Sequence, residues 1–319
     1  MSAESKVTVS LVNVPNVCVL LATYNGSEYL QEQLDTIREQ KGCRCTVFAQ
    51  DDGSTDGTVE ILSKNQVVIF PKTQTNLGPA LNFFLLLKNI VESEIIKDFD
   101  FVAFSDQDDV WMSDKLLQAI SELNKGFDCY SSSFFEYTKS ENAWGGGRKI
   151  NKSFEVNSLS YLARSPGPGF TYVMTAASVQ LVVNDSTFQR IISDRRLAPL
   201  WHDWALFAFA FKLELKWKID HKAKAYYRLH EKNHTGLLSL SNLIGRFRFV
   251  LCGDYIAEVR KIAHIRDDPI INCRINRLSI ADKFFFISSV RQLRCKWSER
   301  LTLVILFLIS TGARRDELP

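Results

Sequence analysis

The first ~110 residues predict an α/β fold, with a mostly parallel sheet and helices on both faces. Three observations carry this. Short apolar runs of strand length alternate with stretches of helical periodicity. The order is β-α-β-α-β-α-β, which right-handed crossovers turn into a parallel sheet. Each apolar run ends in small, polar or acidic residues, as strands do where an open sheet offers its carboxyl edge to a ligand.

Taken in order, Val17–Ala22 reads as a buried strand. Ser27 stands where it could cap a helix from Glu28 to Glu39. Cys45–Gln50 is a second strand, followed by a turn-rich segment and a short helix over Thr58–Ser63. Val67–Phe70 is a third strand, and Pro79 suits the first turn of a helix through Ile90. Phe101–Ser105 is the fourth. The pattern then changes. Residues 126–180 mix aromatic runs with Ser131-Ser132-Ser133, Gly145-Gly146-Gly147 and Pro166-Gly167-Pro168-Gly169, which predicts irregular strands and loops rather than another βαβ unit. A helix is expected over Trp201–Phe211, a strand over Ala223–Tyr227, and helices from about Ser241 to Thr311.

Composition narrows the class. With 46% hydrophobic and 24% charged residues in 319, the chain is globular, not disordered, collagenous or stapled by disulfides. The net charge of +3 hides an asymmetry: residues 241–319 hold 14 Lys+Arg and 8 Asp+Glu, whereas the first 240 hold 25 and 28. A mildly acidic body thus precedes a basic, apolar tail, which points to a membrane surface or a nucleic acid near that end. Seven cysteines without a Cys-x-x-Cys pair disfavour a zinc site and suggest a reducing compartment. No secretory signal is read at the start, and the apolar run Leu301–Ser310 is about half of the ~20 residues that span a bilayer.

Four strand ends deliver polar groups to one edge: Thr23-Tyr24-Asn25-Gly26, Asp51-Asp52-Gly53-Ser54-Thr55-Asp56-Gly57-Thr58, Asn76-Leu77-Gly78 and Asp106-Gln107-Asp108-Asp109. Asp106 and Asp108 form an Asp-x-Asp whose carboxylates can share a hard divalent cation with phosphate oxygens. The plainer reading is a turn or helix start, which Asp also favours. A βα turn explains the glycines and hydroxyls of the second segment but not two adjacent carboxylates. A carboxylate there can accept from a nucleobase imide. Neither a Gly-x-Gly-x-x-Gly nor a P-loop follows the first strand. Trp201-His202-Asp203-Trp204 lies 95 residues after Asp108. A carboxylate between two indoles is a candidate base with a raised pKa, or else a helix-start Asp favoured by the dipole. Arg228 and His230 could neutralise a diphosphate, or simply form an exposed basic turn.

Together, the first four motifs and His202-Asp203 resemble the family-2 inverting glycosyltransferases of GT-A fold. Phe104–Trp111 and Tyr227–Gly236 make the chain similar to the bacterial rhamnosyltransferase-like branch of surface-polysaccharide assembly. The resemblance covers about residues 15–236. It implies a catalytic domain over 1–240, with a nucleotide-binding half at about 15–125 and an acceptor half at 126–240; residues 241–319 lie outside the resemblance and are read from their own pattern as a helical appendage. It implies that Thr23, Asn25, Asn76 and Gly78 line the donor pocket and that Asp52 binds the donor base. Asp106 approaches the donor ribose or metal, and Asp108 ligates Mn²⁺ or Mg²⁺. Asp51 and Asp109 support their loops. Asp203 is the general base, while Arg228 and His230 meet the donor diphosphate or a closing loop. The loop around Gly169 faces the donor sugar or acceptor. The family often has Glu-Asp where this chain has His202-Asp203.

The implied reaction moves a sugar from a dTDP- or UDP-sugar, dTDP-rhamnose among them, to a hydroxyl of a glycan acceptor. That acceptor is expected to be undecaprenyl-diphosphate-linked, in O-antigen or capsule assembly, at the cytoplasmic face of the membrane. The basic tail would lie on the membrane surface, pack on the core or form a homodimer; no nucleic acid is expected. Two rivals remain. One is an aspartyl phosphatase or phosphotransferase of haloacid-dehalogenase type with Asp106 as nucleophile, which would need neither Asp51-Asp52 nor His202-Asp203. The other is a non-catalytic nucleotide-sugar-binding homologue.

Overall fold

The computed structural model describes residues 14–71, 76–140, 143–230, 253–294 and 297–310. Asn233–Gly236, Cys252, Cys295 and everything after Ser310 lie outside these residues. The first half runs β1 (Asn16–Thr23), α1 (Leu30–Arg38), β2 (Arg44–Asp51), α2 (Thr58–Lys64), β3 (Val68–Phe70), α3 (Pro79–Glu92) and β4 (Phe101–Ser105). Strands pair in the order β3-β2-β1-β4, all parallel. Along β1, Cys18 and Leu20 join the core cluster that holds α3, while Val17 and Val19 face the opposite cluster. A strand buried on both faces reads as a continuous apolar run, and this is one.

The first helix starts later than expected. The Gly26 carbonyl accepts from the Tyr29 and Leu30 amides, each at 3.1 Å, so a backbone turn opens the helix. Ser27 is not its cap; the Ser27 amide donates to Asp56 instead.

The chain continues through β5 (Val110–Trp111), α4 (Lys115–Leu123), β6 (Cys129–Ser140), β7 (Ala143–Ile150), β8 (Val173–Thr175), α5 (Ala176–Asn184), α6 (Ser186–Ser193), α7 (His202–Lys212) and β9 (Trp217–Arg228). Here the sheet becomes mixed, extending as β4-β8-β6-β9-β5 with β7 paired on β6. The Gly145–Gly147 run lies in the second arm of the β6–β7 hairpin. The β6–β9 pairing shifts register after Ser132 and again after Ser133. Such irregularities re-aim side chains, because a one-residue slip exchanges the faces of a strand.

The described helices from Asp254 onward begin packed against the body. They are α8 (Asp254–Arg266), α9 (Pro269–Arg277), α10 (Ile280–Ser288), α11 (Val290–Leu293) and α12 (Trp297–Ile309). Ile256, Val259, Ile262, Ala263 and Ile265 of α8 are buried in the same cluster as α7. At ~1.5–3 kcal/mol per fully buried aliphatic side chain, that face holds α8 firmly on the body. Glu258 adds a bond to the Leu200 amide (2.8 Å), and Lys261 donates to the Ala198 carbonyl (3.0 Å).

Candidate active site

The site is built at the carboxyl ends of β1, β2 and β4. Its loops are laced by their own polar groups. Asp51 accepts from Thr23 Oγ1 (2.9 Å) and from the Ser54 amide (2.8 Å), which closes the turn after β2. Asn25 adopts a left-handed backbone (φ 48°), its amide donates to Ser54 Oγ (2.8 Å), and its Oδ1 accepts from the Thr55 amide (2.9 Å). Thr23 and Asn25 therefore fix the floor and wall of this loop through the second strand's turn.

Asp52 is buried, and its carboxylate accepts from the backbone amides of Leu77 and Gly78, both at 2.8 Å. Asn76 Nδ2 reaches the Asp52 carbonyl (3.3 Å). Gly78 has φ 78°, the left-handed region that an L residue rarely adopts. The Asn76-Leu77-Gly78 turn thus exists to bring two N–H groups onto Asp52. A carboxylate has about four acceptor positions, so these bonds orient it without exhausting it.

On the β4 side, Gln107 stitches two loops together: its Oε1 accepts from the Tyr24 amide (2.8 Å) and its Nε2 donates to the Tyr24 carbonyl (3.0 Å). Asp108 Oδ2 and His230 Nε2 lie 2.9 Å apart. Burial, with the carboxylates of Asp108 and Asp203, pushes the Asp106 carboxyl up to about 8. Asp109 is fully buried; burial and its two neighbouring aspartates raise it far above the usual carboxylate range, and neither of its oxygens has a hydrogen-bond partner among the described residues. This edge concentrates acidic groups whose mutual repulsion and burial disfavour their charged forms.

The structure turns Arg228 inward. Its side chain has no exposure; Nε donates to the Asp108 carbonyl (3.0 Å), Nη2 pairs with Glu32 (2.5 Å), and the guanidinium lies over the rings of Tyr29 and Tyr137. In this geometry it braces the Asp106–Asp108 loop and is not part of an exposed basic turn. His230 remains at the carboxylates.

Asp203 opens α7. Its Oδ1 accepts from the Trp204 amide (2.8 Å) and its Oδ2 from Ser165 Oγ (3.0 Å). Burial raises it to about 6, against the opposing pull of those two bonds and the Lys152 charge. Tyr172 joins it to β4: the Tyr172 Oη donates to the Asp203 carbonyl (3.2 Å) and the Tyr172 carbonyl accepts from the Phe104 amide (3.1 Å), which holds the start of α7 beside the strand that leads into Asp106. His202 is not part of that chemistry. It is buried, held neutral by burial down to about 3, and packed 4.0 Å from the Phe83 ring centroid, and its Nε2 has no partner among the described residues. It serves as an aromatic wedge.

Sequence reasoning does not single out Glu32 or Ser165, and it names Gln107 only as the spacer of the Asp-x-Asp. Ser165 was hidden in a Pro-Gly run that reads as a loop, and Glu32 sits on a helix 196 residues from the arginine it meets.

A divalent cation fits these residues in part. Asp108 and His230 already share one position, and Asp106 adds a carboxylate that lacks a counter-charge. No three His, Cys, Asp or Glu side chains converge as a ready-made cluster among the described residues. The rest of a coordination shell would come from diphosphate oxygens and water, as suits Mg²⁺ or Mn²⁺.

Residues 18–180 match the family described as Glycosyl transferase family 2. Over 303 residues the chain is 31% identical to the dTDP-rhamnosyl transferase RfbG of Shigella flexneri, covering 91% of this chain and 99% of that one. It is 29% identical over 117 residues to the abequosyltransferase RfbV of Salmonella typhimurium, covering 34% and 33% of the two chains. Among solved structures it is similar to residues 1–349 of S. aureus TarS in complex with UDP: TM-score 0.53, 18% identity, 88% of this chain and 76% of the other. At that identity the likeness speaks for the fold.

Proposed function

The chain belongs to glycosyl transferase family 2, and on that premise we propose that it is an inverting transferase moving rhamnose or a related sugar from a dTDP- or UDP-sugar to a glycan hydroxyl. The observation that carries the mechanism is that Tyr172 ties Asp203 to β4, the strand that leads into Asp106–Asp108. Inversion is a single displacement and needs one base for the acceptor proton but no enzyme nucleophile. Asp203, raised to about 6, is ionised at neutral pH yet basic enough to take that proton. Asp52, oriented by the Leu77 and Gly78 amides, would receive the donor base. Thr23, Asn25, Asn76 and Gly78 shape its pocket. Asp108, with His230 beside it, would hold Mn²⁺ or Mg²⁺, Asp106 would approach the donor ribose or that cation, and the departing diphosphate would be neutralised by the cation when bound. Arg228 acts indirectly, by holding the Asp108 backbone.

The 31% identity to a dTDP-rhamnosyl transferase along nearly the whole of both chains supports a rhamnosyl donor. The acceptor is proposed to be lipid-linked, in surface-polysaccharide assembly. No described helix is long and apolar enough to cross a membrane. The tail instead leaves Ile280 and Phe284 of α10 and Trp297, Leu301, Ile305 and Leu308 of α12 exposed. Arg291 and Arg300 line the same groove as Trp297 and Leu301. Apolar residues flanked by cations suit an anionic membrane surface. Two facing copies would bring these arginines together.

The test is a thermal-shift panel of dTDP- and UDP-sugars with Mn²⁺, since stabilisation follows affinity. One nucleotide series should raise the Tm, dTDP-rhamnose strongly. A flat response across the panel, with phosphoenzyme trapped on Asp106, would replace this reading with the phosphotransferase.

A further inference from the structure

Ser165 has one hydroxyl hydrogen and two acceptors. Its Oγ lies 3.0 Å from Asp203 Oδ2 and 2.9 Å from the Gly167 carbonyl oxygen. A serine hydroxyl donates once but also has lone pairs with which to accept. Both acceptors cannot be served by full hydrogen bonds at the same time. A second hydroxyl, that of Tyr172, shares this network and hydrogen-bonds Ser165. Tyr172 Oη lies 3.0 Å from that Gly167 carbonyl and 3.2 Å from the Asp203 carbonyl, and Asp203 Oδ1 is occupied by the Trp204 amide.

We propose that Ser165 is a positioning residue for the base, its hydroxyl turning between Asp203 and the Gly167 carbonyl so that both protonation states of Asp203 are hydrogen-bonded. The proposal rests on the reading of Asp203 as the base. Before transfer, the ionised carboxylate accepts from Ser165. During transfer, the acceptor hydroxyl oxygen bonds to the anomeric carbon and its O–H bond breaks. The anomeric C–O bond to the diphosphate breaks, its electron pair leaves with the nucleoside diphosphate, and the proton passes to Asp203. The neutral acid is a weak acceptor. Ser165 then turns its hydrogen to the Gly167 carbonyl and offers a lone pair to the acid proton. Only a hydroxyl hydrogen moves, so the site serves reactant and product without reorganising, as preorganised polar groups do.

The charged and titratable groups around Asp203 are Asp106, Lys152 and Tyr172. Ser165→Ala leaves all of them in place and removes one donor to the carboxylate. The experiment is an infrared titration of the full chain, with the Asp203 carboxyl band assigned by its loss in Asp203→Asn. Hydrogen bonds to charged groups are strong enough that the midpoint in Ser165→Ala should rise by about one pH unit. Ser165→Thr, which keeps the hydroxyl, should titrate as wild type. A merely structural serine would leave the midpoint unmoved in the alanine variant, and that result overturns the proposal. The underlying reading is judged separately: Asp203→Asn should release no dTDP from dTDP-rhamnose under conditions where wild type does. Normal release would reject Asp203 as base, whatever Ser165 does.

Discussion

Gly169 and His202 compete for one volume: a β-carbon built on Gly169 would lie well inside van der Waals contact of His202 Nε2. The imidazole cannot retreat, because the Phe83 and Phe104 rings lie against it. Gly169→Ala should cost about 1–3 kcal/mol of stability by overpacking. Thermal unfolding should show the loss, and adding His202→Ala should recover most of it, since contacting sites are not additive. A variant that melts like wild type would show that the loop moves freely away from α7.

The pH dependence follows from Asp203. Its folded pKa of about 6 lies above the ordinary 3.8. Transfer needs the ionised form, so turnover should fall as pH drops through about 6. For stability the sign is opposite. A raised carboxyl pKa favours the fold at low pH, and that contribution is lost as pH rises from about 4 through about 6. Asp203→Asn should therefore be inactive yet at least as stable as wild type at pH 7. A profile with no acidic limb near 6 would contradict the assignment.

The Arg228–Glu32 pair offers a structural test. Removing one partner of a buried pair typically costs about 3–5 kcal/mol, and less here because Glu32 is half exposed. Arg228→Ala should lower the Tm and weaken donor binding together, through the Asp108 backbone. Arg228→Lys should not restore either, because an ammonium cannot reproduce the planar fork. Donor affinity that falls with an unchanged Tm would instead place Arg228 on the diphosphate.

Metal dependence is read at Asp108. In wild type, Mn²⁺ should strengthen stabilisation by the nucleotide sugar, and chelation with EDTA should reverse it. At a ligand concentration one hundred times Kd that stabilisation is about 2.7 kcal/mol. Asp108→Ala should lose the Mn²⁺-dependent part, and His230→Ala should reduce it. Equal stabilisation with and without Mn²⁺ would mean that the donor binds without the cation.

The exposed face of α10 and α12 predicts co-sedimentation with anionic vesicles and weaker binding to zwitterionic ones. Trp297→Ser with Leu301→Ser should reduce binding at least tenfold, since each buried apolar side chain contributes about 1.5–3 kcal/mol. If vesicles are ignored and the same pair of substitutions converts a dimer to a monomer, the face is a contact between copies.

Much of the site was legible in the sequence because it lies at strand ends. The periodicity of Val17–Ala22, Cys45–Gln50 and Phe101–Ser105 marks where strands stop, and parallel order places those stops on one edge. The acidic and Asn-rich segments had to meet there. What was not legible depended on partners distant in sequence. His202 stands beside the base in the chain, yet the packing of Phe83 and Phe104 makes it core.

The sequence by itself determined the alternation of strands and helices in the first half, the family and the set of carboxylates at the strand ends, because apolar periodicity and turn chemistry act locally. Only the tertiary structure decided what several side chains do. Arg228 faces inward, where Glu32 and the Asp108 carbonyl, 196 and 120 residues away, meet its guanidinium. Ser165 meets Asp203 because the Pro166–Gly169 loop folds over α7. Hydrogen-bond partners are selected by the final packing, and no local pattern records which distant group will arrive within 3 Å.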